Sequence, residues 1–169
     1  MERVVLVDEN DNPLGTMEKM EAHEKGVLHR AFSVFIFNQK GDMLLQQRAF
    51  SKYHSGGLWT NTCCSHPREN ELTIDAAHRR LQEEMGFDCE IEKAFDFIYK
   101  REIDQGLTEH ELDHVFIGEF EGKVCFNKEE VNTYIYIPVQ DVLEEVKQRP
   151  EKYTEWFKIC LNEVVKRIL

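Results

Sequence analysis

Two pairs of side chains stand at spacings that let them act together. Glu84 follows Arg80 by four positions in a stretch of helical period, so the two share one helix face. A carboxylate beside a guanidinium can hold a hard cation and a phosphate oxygen at once. The commoner role of such a pair is a surface ion pair. Glu109 and Glu111 are two apart on an expected strand, so both side chains leave the same face. Five cysteines are the other reactive groups: Cys63, Cys64, Cys89, Cys125 and Cys160. Their number is odd and no CxxC pair occurs, so free thiols in a reducing cytoplasm are expected rather than a disulfide framework. Cys63, Cys89, Cys125 and Cys160 read as small buried packing residues.

These residues need elements to hold them. A strand is expected over Val4–Val7, followed by a turn through Asp8–Gly15 rich in Asp, Asn, Pro and Gly. A hairpin is expected from a strand at 31–37, a turn at 38–42 and a strand at 43–48. Ile74, Ala77, Leu81 and Met85 recur at helical spacing and predict a helix over 73–85. Thr73 would cap it and Gly86 would end it. Further strands are expected at about 91–101, 111–121 and 134–137. Pro138 suits the start of a helix with Val139, Val142, Leu143 and Val146 inward. A last helix after Pro150 places Tyr153, Phe157, Cys160, Val164 and Ile168 on one stripe. The order reads as an α+β fold, a mixed central sheet with helices on its faces.

Composition removes some functions. Thirty-two acidic against 21 basic residues leave a net charge of −11, which repels a polyanion, so nucleic acid is excluded as the main partner. No run of about 18 apolar residues exists to cross a membrane. No apolar leader with a small-residue cleavage site precedes the first strand, so no secretion signal is expected. No repeat, linker or low-complexity tract breaks the chain, and one domain over 1–169 is expected.

The segment 65–87 resembles the Nudix box: Gly, five residues, Glu, seven residues, Arg-Glu, an aliphatic, any residue, Glu-Glu, any residue, Gly. Glu71, Arg79, Leu81, Glu83, Glu84 and Gly86 fall in register, with Phe87 as the apolar end. Ser65 stands at the box glycine and Arg80 at a box glutamate. In Nudix hydrolases that glutamate belongs to the acidic cluster holding magnesium for water attack. A cation in its place argues for binding a diphosphate without cleaving it. From about Leu14 to Trp156 the chain resembles one Nudix branch, the type I isopentenyl diphosphate isomerases. The segments are Met17–Lys19, Ala22–His23, Leu28–Ser33, Arg48–Lys52, Trp59–Pro67, Asp96–Tyr99, Glu109–Leu112 and Trp156.

The resemblance implies an α/β/α sandwich and a reversible 1,3-allylic proton shift of isopentenyl diphosphate to dimethylallyl diphosphate through a carbocation, feeding isoprenoid biosynthesis. It places a divalent ion on His23, His29, His66, Glu109 and Glu111. Three imidazoles and two carboxylates leave about one open position of an octahedron. Manganese or magnesium is expected there, with zinc as an alternate occupant, and no flavin. A second ion, Mg2+, would sit on Glu84 and the Cys64 backbone carbonyl, bridged by the diphosphate. Lys19, Arg48, Lys52 and Arg80 would bind the diphosphate. Cys64 and Glu111 would be the acid–base pair, with either one as first donor. Tyr99 would bond the Glu111 carboxylate, and the Trp156 ring would face the cation. His54, His78, His110 and His114 are expected to be ordinary histidines. The expected partner is the small diphosphate alone, with the chain a monomer. The competing reading is a Nudix hydrolase of a nucleoside diphosphate derivative.

Overall fold

The computed structural model describes residues 1–169. In chain order it has β1 (Arg3–Val7), β2 (Pro13–Glu18), α1 (Lys19–Lys25), β3 (His29–Phe37), β4 (Met43–Arg48), β5 (Trp59–Thr60), β6 (Cys63–Ser65), α2 (Thr73–Met85), β7 (Ile91–Glu102), β8 (Thr108–Glu119), β9 (Val131–Ile137), α3 (Val139–Gln148) and α4 (Glu155–Ile168). All nine strands belong to one sheet. Most pairings are antiparallel, but β3 and β8 run parallel over nine residue pairs, so the sheet is mixed.

Alternation along the central strands sets the layers. Phe32, Val34 and Ile36 of β3 and Leu44 of β4 face α2, where they meet Leu81 and Met85. Phe35 and Phe37 of β3 and Met43 and Leu45 of β4 face the other way, onto Phe157, Cys160, Leu161 and Val164 of α4. Period-two strands buried on both sides read as nearly continuous apolar runs, which is the pattern of 31–37. Each large side chain fully buried here contributes about 1.5–3 kcal/mol. The result is the expected sandwich, helices on both faces of a mixed sheet.

Several expectations are corrected. The segment 31–37 and the segment 43–48 do not form a full hairpin: Phe37–Met43 is their one registered pair. Beyond it the strands part, and β4 pairs instead with β9 and β5. The turn after β1 is shorter than expected, because Pro13–Gly15 already belong to β2. Strand β8 starts at Thr108 rather than 111 and ends at Glu119. Thr73 is the first helical residue of α2 and not its cap; Leu72 holds that position with no side-chain bond. Ile74, expected inside, is exposed. Tyr153 is buried but precedes α4. Cys125 is exposed and Cys89 half-buried, unlike Cys63 and Cys160 in the core.

Gly86 ends α2 as expected, with φ 72° and ψ 19° and its N–H on the Gln82 carbonyl. Any Cβ there would also overlap the Cys125 backbone carbonyl. Gly41 has a similar φ of 83° but open space around it. Gly41→Ala is expected to lower unfolding free energy by about 1–2 kcal/mol, the left-handed penalty alone. Gly86→Ala should lose about 3 kcal/mol or more, the same penalty plus the clash. Urea unfolding of the two variants checks this, and equal losses would show that the Cys125 contact is unimportant.

Candidate active site

Strand register builds the centre of the site. His29 on β3 stands opposite Glu111 on β8, and Tyr99 on β7 stands opposite Glu111 from the other side. Directly opposed residues present their side chains to the same face. The Tyr99 hydroxyl accordingly donates to Glu111 Oε1 at 2.5 Å. His29 Nε2 and His66 Nε2 lie 3.1 Å and 2.7 Å from the other oxygen, Oε2. Glu109, two residues back on the same face, has His23 Nε2 at 3.3 Å and His54 Nε2 at 2.8 Å from its Oε1. The structure thus brings His23, His29, His66, Glu109 and Glu111 together. It also adds His54, which had been set aside as ordinary. Nothing in residue spacing points to His54; the available signal was its place two residues beyond Lys52 in one loop.

The donor set fits a divalent ion. His23 Nδ1–H donates to the Lys19 carbonyl at 2.7 Å, and His29 Nδ1–H to the Val27 carbonyl at 2.8 Å. A carbonyl only accepts, so each neutral ring turns an Nε2 lone pair toward the carboxylates. His23 Nε2 is buried and makes no hydrogen bond at all. Lone pairs facing carboxylate oxygens need a cation between them. Two overlapping ligand groups result: His23, His29, His66 and Glu111, and His23, His54 and Glu109.

Electrostatics follows from burial and pairing. Burial disfavours a charged Glu111, yet the His29 and His66 rings, when protonated with no ion between them, hold it well below the usual carboxylate range. Burial lowers His54 and His66 despite their carboxylate partners. At His23, burial pulls down, but the neighbouring Glu109 carboxylate outweighs it and raises the imidazole. Asp113, next along the same face of β8, goes the other way: burial and the Glu111 charge raise it well above its ordinary value, against the Ser33 hydroxyl that donates to it.

Cys63 and Cys64 are adjacent on β6 and take opposite faces of the sheet. Cys63 packs in the α2 core, 3.6 Å from Glu84 Oε2. The Cys64 thiol donates to Asn61 Oδ1 at 3.3 Å and accepts from Trp156 Nε1 at 3.0 Å. Asn61 cannot turn its amide, because its Nδ2 donates to the Val34 and Cys63 carbonyls. Burial, with Glu84 adding to it, pushes the Cys64 thiol up to about 12. The group is therefore a protonated thiol at neutral pH. Trp156 serves the α4 core and the site together, with the Arg48 guanidinium 5.3 Å from its ring.

Lys19, Arg48, Lys52 and Arg80 all line one cavity of about 520 Å3, joined by Arg3, Arg68 and Arg79. Its acidic lining includes Glu130, which sequence reasoning missed; it lies 2.5 Å from Lys52 Nζ and 3.5 Å from Arg80 Nη2. Cys64, Ser65 and His66 border this cavity and also a narrow one of about 40 Å3, whose wall includes Glu109, Glu111 and Trp156. Glu84 does not reach the cavity wall. Its carboxylate accepts from Arg80 Nη2 at 2.9 Å and Gln46 Nε2 at 3.2 Å. The Arg80–Glu84 pair is therefore a real contact, half-buried rather than on the surface.

Comparison with known proteins places this arrangement. The NUDIX domain family matches residues 27–157. A solved protein of Deinococcus radiodurans aligns over 96% of this chain and 98% of its own, with TM-score 0.80 at 16% identity. The MutT protein of Methanosarcina mazei Go1 aligns over 83% of this chain and 94% of its own, with TM-score 0.66 at 17% identity. At these identities the likeness concerns the fold, which is that of a Nudix-domain protein. Sequence relatives are more specific. The isopentenyl-diphosphate Delta-isomerase 2 of Aromatoleum aromaticum is 50% identical over 164 residues, 97% of this chain and 87% of that protein. The isopentenyl-diphosphate Delta-isomerase of Pectobacterium atrosepticum is 52% identical over 161 residues, 95% and 90% of the two chains. The chain belongs to the isopentenyl-diphosphate Delta-isomerase family.

The thiol environment predicts a chemical contrast. Iodoacetamide at pH 8 should modify the exposed Cys125 and leave Cys64 unmodified, since only thiolate reacts. Mass spectrometry of the alkylated chain reads both sites. Fast modification of Cys64 at that pH would contradict the neutral, buried thiol.

Proposed function

We propose that this chain interconverts isopentenyl diphosphate and dimethylallyl diphosphate by a 1,3-allylic proton shift, as an enzyme of isoprenoid biosynthesis. Membership of the isomerase family supports the reaction. One observation carries the assignment of residues: Cys64 and Glu111 line the same narrow cavity, next to a larger one lined by cations.

The diphosphate belongs in the cationic cavity, on Lys19, Arg48, Lys52 and Arg80. Arg48 and Arg80 offer planar forks suited to phosphate oxygens. The hydrocarbon tail then extends toward Cys64, Glu111 and Trp156. About 40 Å3 is little more than one water occupies, ~30 Å3, so the tail enters only as the lining moves apart. Once inside, the tail displaces water that would otherwise quench a cation.

An unactivated alkene is a poor base, so the acid must be held against it. One of Cys64 and Glu111 delivers a proton to the terminal carbon, and the double-bond electrons form the new C–H bond. The tertiary carbocation left behind faces the Trp156 π system, worth about 2 kcal/mol when desolvated. The other member of the pair removes a proton from the neighbouring methylene, and that C–H pair becomes the new double bond. In reverse the roles exchange. Tyr99 holds Glu111 by its oxygen Oε1 and can pass a proton to it. Cys64 enters the cycle carrying its proton, and Glu111 enters ionised.

His23, His29, His66, Glu109 and Glu111 would hold Mn2+, Mg2+ or Zn2+, which when bound supplies positive charge that makes a proton on Glu111 more acidic. Glu84 and the Cys64 carbonyl would hold Mg2+ with the diphosphate, which requires Arg80 to release Glu84. The chain would act as a monomer in the cytoplasm, where its five unpaired cysteines stay reduced. No helix is long and apolar enough to cross a membrane.

The test is isopentenyl diphosphate in deuterated water followed by NMR. Wild type should give dimethylallyl diphosphate carrying deuterium, release no phosphate, and stop on chelation. Cys64→Ala and Glu111→Gln should each lower kcat by about 10²–10⁴-fold. Near-wild-type turnover in either variant removes it from the acid–base pair. Phosphate release instead of isomerisation would replace the reading with hydrolysis.

A further inference from the structure

His54 differs from His23 and His29 by what lies behind its ring. His23 and His29 have a backbone carbonyl at Nδ1, which forces a proton onto that nitrogen and leaves Nε2 bare. His54 Nδ1 instead meets the Ser55 hydroxyl at 3.1 Å. A hydroxyl can donate, so this ring can carry its proton on Nε2 and point it at Glu109 Oε1, 2.8 Å away. The arrangement is built rather than incidental. Ser55 has φ 54°, a left-handed conformation rare for a residue with a side chain. Its N–H is pinned by the Asp104 carboxylate at 3.0 Å.

The same loop joins the two cavities. Lys52 lines the cationic cavity, and the Tyr53 ring lies beside Lys19 and His23. The His54 carbonyl accepts from Arg48 Nη2 at 3.1 Å, while its ring lies 5.9 Å from that of Trp156. The ring is buried and stands edge-on to Tyr53. Its one acidic neighbour by contact is Glu109.

We propose that His54 is a positioning residue of the His/Glu centre: it donates from Nε2 to Glu109 and holds that carboxylate for the divalent ion, without binding the ion itself. This rests on the reading of His23, His29, His66, Glu109 and Glu111 as the ion's ligands. Glu109 otherwise has the distant Tyr99 hydroxyl, 3.5 Å from Oε2, as its remaining hydroxyl contact. Carboxylate ligands held by an outer hydrogen bond lose less freedom when the ion binds.

Mn2+ alone is the probe, measured by equilibrium dialysis, with water-proton relaxation reporting waters on the bound ion. His54→Ala should weaken Mn2+ binding about 10–100-fold. Circular dichroism melting of the metal-free variant should match wild type, which separates this loss from misfolding. His54→Gln, whose amide nitrogen can take the place of Nε2 and donate, should recover most of the affinity. The number of waters on Mn2+ should be the same in all three proteins. Mn2+ affinity of His54→Ala within about twofold of wild type would overturn the proposal. One extra water in both variants, with Gln as weak as Ala, would make His54 a ligand and overturn it as well. A wild-type chain that takes up no Mn2+ would overturn the metal-centre reading itself, and this proposal with it.

Discussion

The parallel ladder between β3 and β8 is the constraint on which the site depends. It sets His29 opposite Glu111, and the antiparallel β7 then sets Tyr99 opposite the same residue. Side chains alternate faces, so a slip of one residue in β8 would turn Glu109, Glu111 and Asp113 toward α2 and bring His110, Leu112 and His114 into the site. Register is held by burial on both faces: Val115 lies under α4 while Phe116 lies under α2. The apolar packing of the distal half of β8 thereby fixes the polar contacts of its first half. The geometry around Glu111 is a consequence of core packing a few residues away.

Charge is distributed against the chain's average. The protein carries a net −11, yet seven cations line the cavity beside Cys64 and His66. Lys19, Lys52 and Arg80 each have a carboxylate close by, from Glu2, Glu130 and Glu84 respectively. These carboxylates hold the cations in place and also compete with any phosphate for them. The Arg80 guanidinium is bracketed by Glu84 and Glu130, with Glu83 also in contact. Where a Nudix hydrolase has another carboxylate and gathers metal, this helix supplies its own fixed cation. The scaffold of the box is intact: Arg79 makes two bonds to Glu71, at 2.8 and 2.9 Å, across the loop that enters α2.

What could be read from sequence was what depends on near neighbours. Helix α2 and its Gly86 terminus follow from four-residue spacing and one conformational requirement. The buried runs of β3 and β4 follow from composition. What failed depends on partners far along the chain. The 38–42 turn looks like a hairpin turn, but β3 is claimed by β6 and β8, and β4 by β9, so the two strands part after one pair. Helix α1 has seven residues, too few to show a period, and is held by Glu18 accepting from the Glu21 N–H. Thr73 had the right chemistry for a cap, but the chain enters one residue earlier, at Leu72. That His23, His29, His66, Glu109 and Glu111 would lie together was legible through family resemblance; the contacts of His54 and Glu130 were not, since they are made 55 positions away, to Glu109, and 78 positions away, to Lys52.

The two adjacent cysteines show how the sheet separates tasks. Consecutive strand residues must point to opposite faces. Cys63 therefore enters the α2 layer beside Glu84, and Cys64 the α4 layer beside Trp156. Between them runs one backbone unit, whose carbonyl on the Cys63 side is already held by Asn61. Asn61 Oδ1 also accepts a hydrogen bond from the Cys64 thiol, so one amide orients both residues. The cation-lined cavity and the narrow one both border this short strand, at Cys64 and Ser65. Held this way, the strand separates the polar, cation-lined space from the narrow one while leaving the two side by side.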